Sequence, residues 1–344
     1  MAGLGQLKFA MGSSIFILMF IFSAFLAAIF FILQVDLILA IVLAVAFILF
    51  QYLIGPAIVR ASTRLQYLQS GQNPWLESTV KEIAEKSGVP MPRLAIVPDK
   101  TPNAFVFGRT AKSATLAVHE GLLANLNENE IRGVIAHEIG HLRHKDYLVM
   151  TILSALPLLA YMVARATWTT AMFSRGGRQK NEASMGAALV AIGVLSYVVY
   201  VIAQLAVLRL SRLREHYADA YSAYVTGQPR NLESALTKIT YGLSLSPSPP
   251  SGVRAFYIGD PAMAKQEIGE IMEKKDEYDL NHDGVLDERE LEIAMEKEAK
   301  STWSKVNMLF ATHPPTFKRI LMLREIENEM TNGKYTSDRI YAHV

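Results

Sequence analysis

The sequence predicts a mainly α, multipass membrane protein. It has four apolar helices, a polar domain with a small β-sheet and one helix presenting two histidines a turn apart, and an inserted helix-loop-helix unit. Three observations lead there. Of 344 residues, 51% are hydrophobic and 19% charged, too apolar for an ordinary soluble protein of this size. The apolar residues gather in four stretches, 14–33, 37–54, 147–164 and 187–208, that contain no Asp, Glu, Lys or Arg. Each is close to the ~20 residues that cross a ~30 Å hydrocarbon core. Finally, His137-Glu138-Ile139-Gly140-His141 lies within a run of apolar residues at helical spacing.

The stretch 14–33 is longer than the ~7–15 residue core of a signal peptide, and a second apolar stretch follows after only Gln34-Val35-Asp36. The two read as a transmembrane hairpin over 1–56. The segments 93–97, 104–108 and 114–118 read as short strands separated by turn residues. Asn127 is an N-cap with Glu130 three positions on, and Ile131, Val134, Ile135 and Leu142 continue a helix. Pro157 interrupts the third apolar stretch, which either spans the bilayer or packs against the polar domain. The expected organisation is a core over 57–243 that includes the third and fourth apolar helices, a linker and insertion over 244–302, and a return to the core over 303–344.

The net charge of +2 averages unlike regions. Residues 261–300 hold 13 acidic and 6 basic side chains, net −7, leaving +9 elsewhere. Lys8, Arg60, Arg64, Arg143, Lys145, Arg209, Arg212 and Arg214 gather on one side of a four-span arrangement, against Arg165, Arg175, Arg178 and Lys180 on the other. The richer side, which carries the two histidines, is expected to be cytosolic, with the chain in the cell membrane. No feature points to nucleic acid. With no cysteine there are no disulfides and no thiolate metal ligands, which suits a reducing compartment.

At 3.6 residues per turn, His137 and His141 project from one helix face, and both rings can reach a single Zn²⁺. Beside them, the carboxylate of Glu138 is placed to deprotonate a zinc-bound water, whose pKa the metal lowers to roughly 7, and to pass the proton to a leaving amine. A catalytic site needs a third protein ligand on the same side of the membrane, hence an even number of spans away. Glu215 qualifies: His141 precedes the third apolar stretch by six residues and Glu215 follows the fourth by seven, each roughly 10 Å from a membrane end at 1.5 Å per residue. Asp219, one turn beyond Glu215, is placed to accept the second ring N–H of a ligating histidine. The plainer reading of Glu215 and Asp219 is a solvated face balancing nearby arginines.

HEIGH, the later Glu215-His216-Tyr217-Ala218-Asp219, Pro102-Asn103-Ala104-Phe105 upstream, and Thr312-His313-Pro314-Pro315 with Arg319 downstream together resemble the HtpX-type membrane zinc endopeptidases, distant relatives of the CAAX prenyl endopeptidases. The resemblance covers roughly 1–240 and 303–325. It implies a zincin-like metallopeptidase domain, the zinc ligands His137, His141 and Glu215, the base Glu138, and a role in degrading misfolded or damaged membrane proteins. It also suggests His313 or Arg319 as donors to a tetrahedral oxyanion, against a capping or packing role for the His-Pro-Pro turn. Asn103, Ala104 and Phe105 form either an edge that pairs with extended polypeptide substrates or an ordinary structural hairpin.

The stretch Asp279 to Glu290 departs from that family pattern. It places oxygen side chains at loop positions 1, 3, 5 and 9, Gly284 at 6, an apolar residue at 8 and Glu at 12, as an EF-hand does. Asp279, Asn281, Asp283, the Val285 carbonyl, Asp287 and Glu290 are the candidate Ca²⁺ ligands, and apolar spacing on either side predicts flanking helices. EF-hands usually pair through position 8, so Leu286 has as alternatives a second copy, the peptidase domain or no partner at all. Two rival classes share these features, a non-catalytic calcium sensor with a structural zinc site and a prenyl-protein peptidase. Glu138 argues against the first, since a structural site does not use that carboxylate; four spans argue against the second.

Overall fold

A computed structural model describes residues 9, 12–25, 37–173, 180–247, 257–299, 311–336, 339–341 and 343. The chain divides into two compact units, one containing Pro56–Leu148 and Ser211–Val344, the other Leu7–Gly55 and Val149–Leu210.

The apolar unit draws on α1 (Gly12–Phe25), most of α2 (Leu37–Thr63), and the apolar parts of α6 (Asp146–Phe173) and α7 (Lys180–Thr226). Three helices among the described residues are long and apolar enough to cross a membrane: Val45–Thr63, Asp146–Met172 and Gly186–Thr226. The part of the first expected span over 26–33 falls outside the described residues, so its full length is not among the three. The third expected span is one of these three, and α6 runs unbroken through Pro157. Apolar transmembrane helices tolerate proline where neighbouring groups satisfy the freed carbonyl. Phe16, Ile38, Val45, Met172 and Val194 are exposed, an outer surface suited to lipid. Where α6 meets α7, an added Cβ at Gly193 would lie 3.0 Å from Thr167 Oγ1, the close approach that small residues permit between membrane helices.

The polar unit is built on a four-stranded sheet in the order β1-β2-β4-β3, with β1 Gln66–Tyr67, β2 Arg93–Val97, β3 Ala104–Phe107 and β4 Thr115–His119. The three expected strands are present within a residue of their expected ends. β2 pairs with β4 in parallel, while β3 pairs with β4 antiparallel, Phe105 opposite Ala117. β4 is buried along its whole length, and β3 forms an edge of the sheet. Around the sheet lie α3 (Pro74–Ser87), capped by Asn73 and closed by Gly88 at φ +64°, the short α4 (Glu120–Asn125), and α5 (Glu128–His144). α8 (Pro229–Leu245) packs on α5 and, of the helices that follow, on α9 (Pro261–Glu273), α11 (Glu288–Ala299) and α12 (Thr316–Thr331); the short α10 (Lys275–Tyr278) packs on α9 and α11.

α5 and α7 meet closely. An added Cβ at Gly140 would lie 3.2 Å from Tyr221 Cδ1 and 3.3 Å from Ala218 Cα. Met263, Ile268, Ile271, Tyr278, Leu291, Ala294 and Met295, which flank the 279–290 loop, share one core with Ala311, Phe317 and Ile320, and Leu286 packs against it. The helices flanking that loop therefore have no separate core, and Leu286 finds its partner within this unit. Most of the linker 244–252 and residues 300–310 fall outside the described residues.

Candidate metal centre

α5 starts with a reciprocal cap. The Glu130 N–H donates to Asn127 Oδ1 at 3.0 Å, and the Asn127 N–H donates to Glu130 Oε2 at 2.8 Å. Ile131, Val134, Ile135, Ile139 and Leu142 are buried, which fixes the rotation of the helix and aims His137 and His141 together. Glu215 and Asp219 come one turn apart from α7, and both are buried.

The three potential ligand atoms converge. His137 Nε2 lies 3.1 Å from His141 Nε2 and 3.5 Å from Glu215 Oε2, and His141 Nε2 lies 3.4 Å from Glu215 Oε1. Zinc bonds of about 2.0–2.1 Å in a tetrahedron place ligand atoms about 3.3 Å apart, so this spacing fits that ion. Glu215 Oε2 is buried with no hydrogen-bond partner among the described residues, as a metal-binding oxygen would be. The charges agree: the carboxylates of Glu138, Glu215, Asp219 and Asp146 outnumber the guanidiniums of Arg214 and Arg319 by two, which a divalent cation would balance.

Each ring is held from behind. His137 Nδ1 lies 2.8 Å from Asp219 Oδ1, and His141 Nδ1 lies 2.6 Å from Asp146 Oδ2. Carboxylates in such positions fix the ring tautomer and leave Nε2 free to ligate. Asp219 was expected there; Asp146 was not. α5 ends with Lys145 in the left-handed region at φ +60°, and this reversal returns Asp146, the first residue of α6, to His141. Arg214 donates to the other oxygen of Asp146. Burial pushes both histidines down, but carboxylates outweigh it and hold them above the ordinary value, Asp219 and Glu215 for His137 and Glu215 and Glu138 for His141.

Glu138 is buried, which pushes its carboxyl up, while His141 and His137 pull it down. The Val106 backbone N–H adds a smaller downward pull, and the edge strand β3 lies against α5.

The remaining expected residues gather nearby. His313 Nε2 lies 3.8 Å from Glu215 Oε1, and burial lowers the pKa of His313. Arg319 is oriented otherwise than as a free donor: its Nε and Nη2 reach Asp219 Oδ2 and Oδ1 at 2.8 and 2.7 Å, its Nη1 donates to the Ile258 carbonyl, and Nη1 stands 3.6 Å from Glu215 Oε2. Asn103, Ala104 and Phe105 are buried, and Asn103 Oδ1 accepts the Ile258 N–H at 3.0 Å.

The 279–290 loop is separate. Gly284 at φ +81° and His282 at φ +57° turn the chain inward. Asp279 accepts the N–H groups of Asp283 and Gly284, at 3.2 and 2.8 Å. Glu290 accepts those of Leu280, Asn281 and Asp287 at 2.8–3.2 Å, so the first and last acidic residues both face the loop interior. Asn281 and Asp283 contact each other at 3.0 Å, while Val285 is exposed and Asp287 Oδ1 accepts the Glu290 N–H.

The comparisons agree with this geometry. The model of peptidase family M48 matches residues 70–327. A protease HtpX homologue from Methanothermobacter thermautotrophicus is 41% identical over 197 residues, 57% of this chain and 71% of that protein. Another from Aeropyrum pernix is 31% identical over 288 residues, 84% of this chain and 86% of that protein. The solved structure of S. mikatae Ste24p matches at 18% identity and a TM-score of 0.48, over 91% of this chain and 62% of that one. The chain is a membrane protein that belongs to peptidase family M48, among the HtpX-type proteases.

Proposed function

We propose that the protein is a membrane-integral zinc endopeptidase that hydrolyses peptide bonds of misfolded membrane proteins, with its site on the cytosolic side of a four-span arrangement. The tetrahedral spacing of His137, His141 and Glu215 beside the buried Glu138 carries the reading. Zinc, when bound by these three, supplies a Lewis acid that lowers the pKa of water to about 7 and polarises a peptide carbonyl. Glu138 takes the proton from the attacking water and delivers it to the leaving nitrogen. Asp219 and Asp146 keep the two ring nitrogens aimed. Arg319 keeps Asp219 aimed, and that use of its fork favours a positioning role over direct donation to an oxyanion. His313, 3.8 Å from Glu215, stands where it can stabilise developing charge. The strand β3, an edge of the sheet that follows Asn103 and begins with Ala104-Phe105, is the proposed pairing edge for an extended substrate through its backbone, the side chains of these three being buried.

The test is zinc analysis together with cleavage of an unfolded model substrate by the purified protein in detergent. Glu138→Ala is expected to retain zinc and lose cleavage to near background. Cleavage at the wild-type rate by that variant overturns the mechanism.

The 279–290 loop is proposed to bind Ca²⁺ through Asp279, Asn281, Asp283, the Val285 carbonyl, Asp287 and Glu290, and so to modulate the peptidase. The inward-facing Asp279 and Glu290 support the ligand set. A physical link supports modulation: Lys238 pairs with Glu288 at 3.0 Å and with Glu130, the capping residue of α5, at 2.6 Å. Ser234 also donates to Glu130, at 2.6 Å. A change in the loop's exit helix thus reaches the start of the helix that bears His137.

A further inference from the structure

The segment Tyr257–Asp260 was not expected to matter, yet it touches three parts of the site. Its Ile258 N–H donates to Asn103, its Ile258 carbonyl accepts from Arg319, and Asp260 reaches Thr312. Asp260 is 4% exposed and divides its two oxygens. Oδ1 caps α9, accepting the N–H groups of Ala262 and Met263 at 3.0 and 3.4 Å. Oδ2 accepts from Thr312, the hydroxyl at 3.2 Å and the N–H at 3.4 Å. The Thr312 hydroxyl in turn lies 2.8 Å from His313 Nδ1.

A hydroxyl has one proton to give, and an ionised carboxylate can only accept. With the Thr312 proton turned to Asp260, Thr312 Oγ1 offers a lone pair to His313 Nδ1, which must then carry the hydrogen. We infer that Asp260 is a positioning residue which, through Thr312, fixes His313 as the Nδ1–H tautomer and presents the bare Nε2 toward Glu215. His313 thereby presents Nε2 to the site in a single orientation, with Nδ1 engaged by Thr312. The value of the relay for the reaction rests on the peptidase reading; the tautomer itself does not.

Asp260→Asn separates the two duties of this residue. Asparagine caps a helix as well as aspartate does, so Oδ1 keeps α9 in place. Its amide N–H₂ then stands opposite Thr312 and donates to the hydroxyl, whose proton turns to His313 Nδ1 and moves the ring hydrogen to Nε2. The experiment is ¹⁵N NMR of histidine-labelled full-length protein in detergent micelles, with His313 assigned by its loss in His313→Gln, alongside zinc content, melting temperature, kcat and KM. Wild type is expected to show Nδ1–H. Asp260→Asn is expected to show Nε2–H with unchanged zinc content and melting temperature, and a kcat at least tenfold lower at similar KM. Thr312→Val is expected to lose the fixed tautomer, and Thr312→Ser, which keeps the hydroxyl, to recover it. A wild-type ring already in the Nε2–H form, or one that Asp260→Asn leaves unchanged, overturns the relay. A switched tautomer with wild-type kcat overturns its part in the reaction. If no variant or wild type cleaves at all, the peptidase reading falls, while the NMR result still decides the relay.

Discussion

His141 Nδ1 lies 2.6 Å from Asp146 Oδ2, and Asp146 in turn holds the buried guanidinium of Arg214, whose Nε and Nη1 have no other partner among the described residues. The same carboxylate therefore orients the ring of His141, a proposed metal ligand, and neutralises a buried cation. Asp146→Asn is expected to weaken zinc binding roughly 10–100-fold. It should also destabilise the protein by roughly 3–5 kcal/mol, because the Arg214 charge is left buried and uncompensated. Adding Arg214→Met is expected to recover stability but not zinc affinity, as read by chelator competition and thermal unfolding. Recovery of both would make Asp146 a counter-ion alone.

Arg319 and Asp219 form a two-bond fork, so the two residues are expected to act as one unit. Arg319→Lys keeps the charge and loses the fork. Its loss of kcat/KM should match that of Asp219→Asn, and the double variant should lose little more than either single one. Additive losses would instead assign Arg319 an independent contact with the reacting carbonyl.

Calcium binding is expected in calorimetric titration of the wild type and not of Glu290→Gln, which loses a bidentate ligand. Lys238→Met combined with Ser234→Ala, which together remove the bridges from Glu288 to Glu130, is expected to bind Ca²⁺ normally while its cleavage rate no longer responds to it. An unchanged calcium response in that variant would send the coupling through the core shared by Leu286 and Phe317 instead.

Glu267 gives a pH dependence outside the metal site. Its carboxyl is raised to about 7 by burial, which outweighs the Thr316 N–H it accepts at 3.0 Å, and its Oε2 has no partner among the described residues. The folded protein then holds a proton that the unfolded chain has released above its ordinary pKa. Stability from this group should be full below about pH 4.5, decline as pH rises, and be lost above about 7, by about 3 kcal/mol in all. Denaturation midpoints measured across pH 4 to 8 in wild type and Glu267→Gln would test this, with the variant expected to show a flatter profile.

The parts of the fold set by local interactions were legible. The Asn127 cap and the spacing of Ile131, Val134 and Ile135 define α5, and with it the joint direction of His137 and His141, within a single stretch of chain. The third ligand needed one additional argument, that membrane topology restricts which acidic residue can return to the same side. Asp146 was hidden because its approach to His141 depends on a left-handed Lys145, a conformation not marked by glycine or asparagine. Asp260 was hidden for another reason: the contact to Thr312 joins residues 52 apart in the chain. The two-residue strand β1 is too short to leave an alternating pattern.

Gly140 lies between the two histidines of α5 and faces Ala218 of α7, where a methyl group would meet atoms at 3.2 and 3.3 Å. Two of the proposed ligands lie on one of these helices and the third on the other, so the gap at Gly140 sets the span that a metal ion held there would bridge. An alanine there would wedge the helices apart by a few tenths of an ångström, comparable with the ~0.2 Å tolerance of a zinc-ligand bond. Under the proposed zinc assignment the metal would act as a caliper for helix packing: a change in the closeness of the two backbones would register as a change in affinity before it registers as a loss of fold.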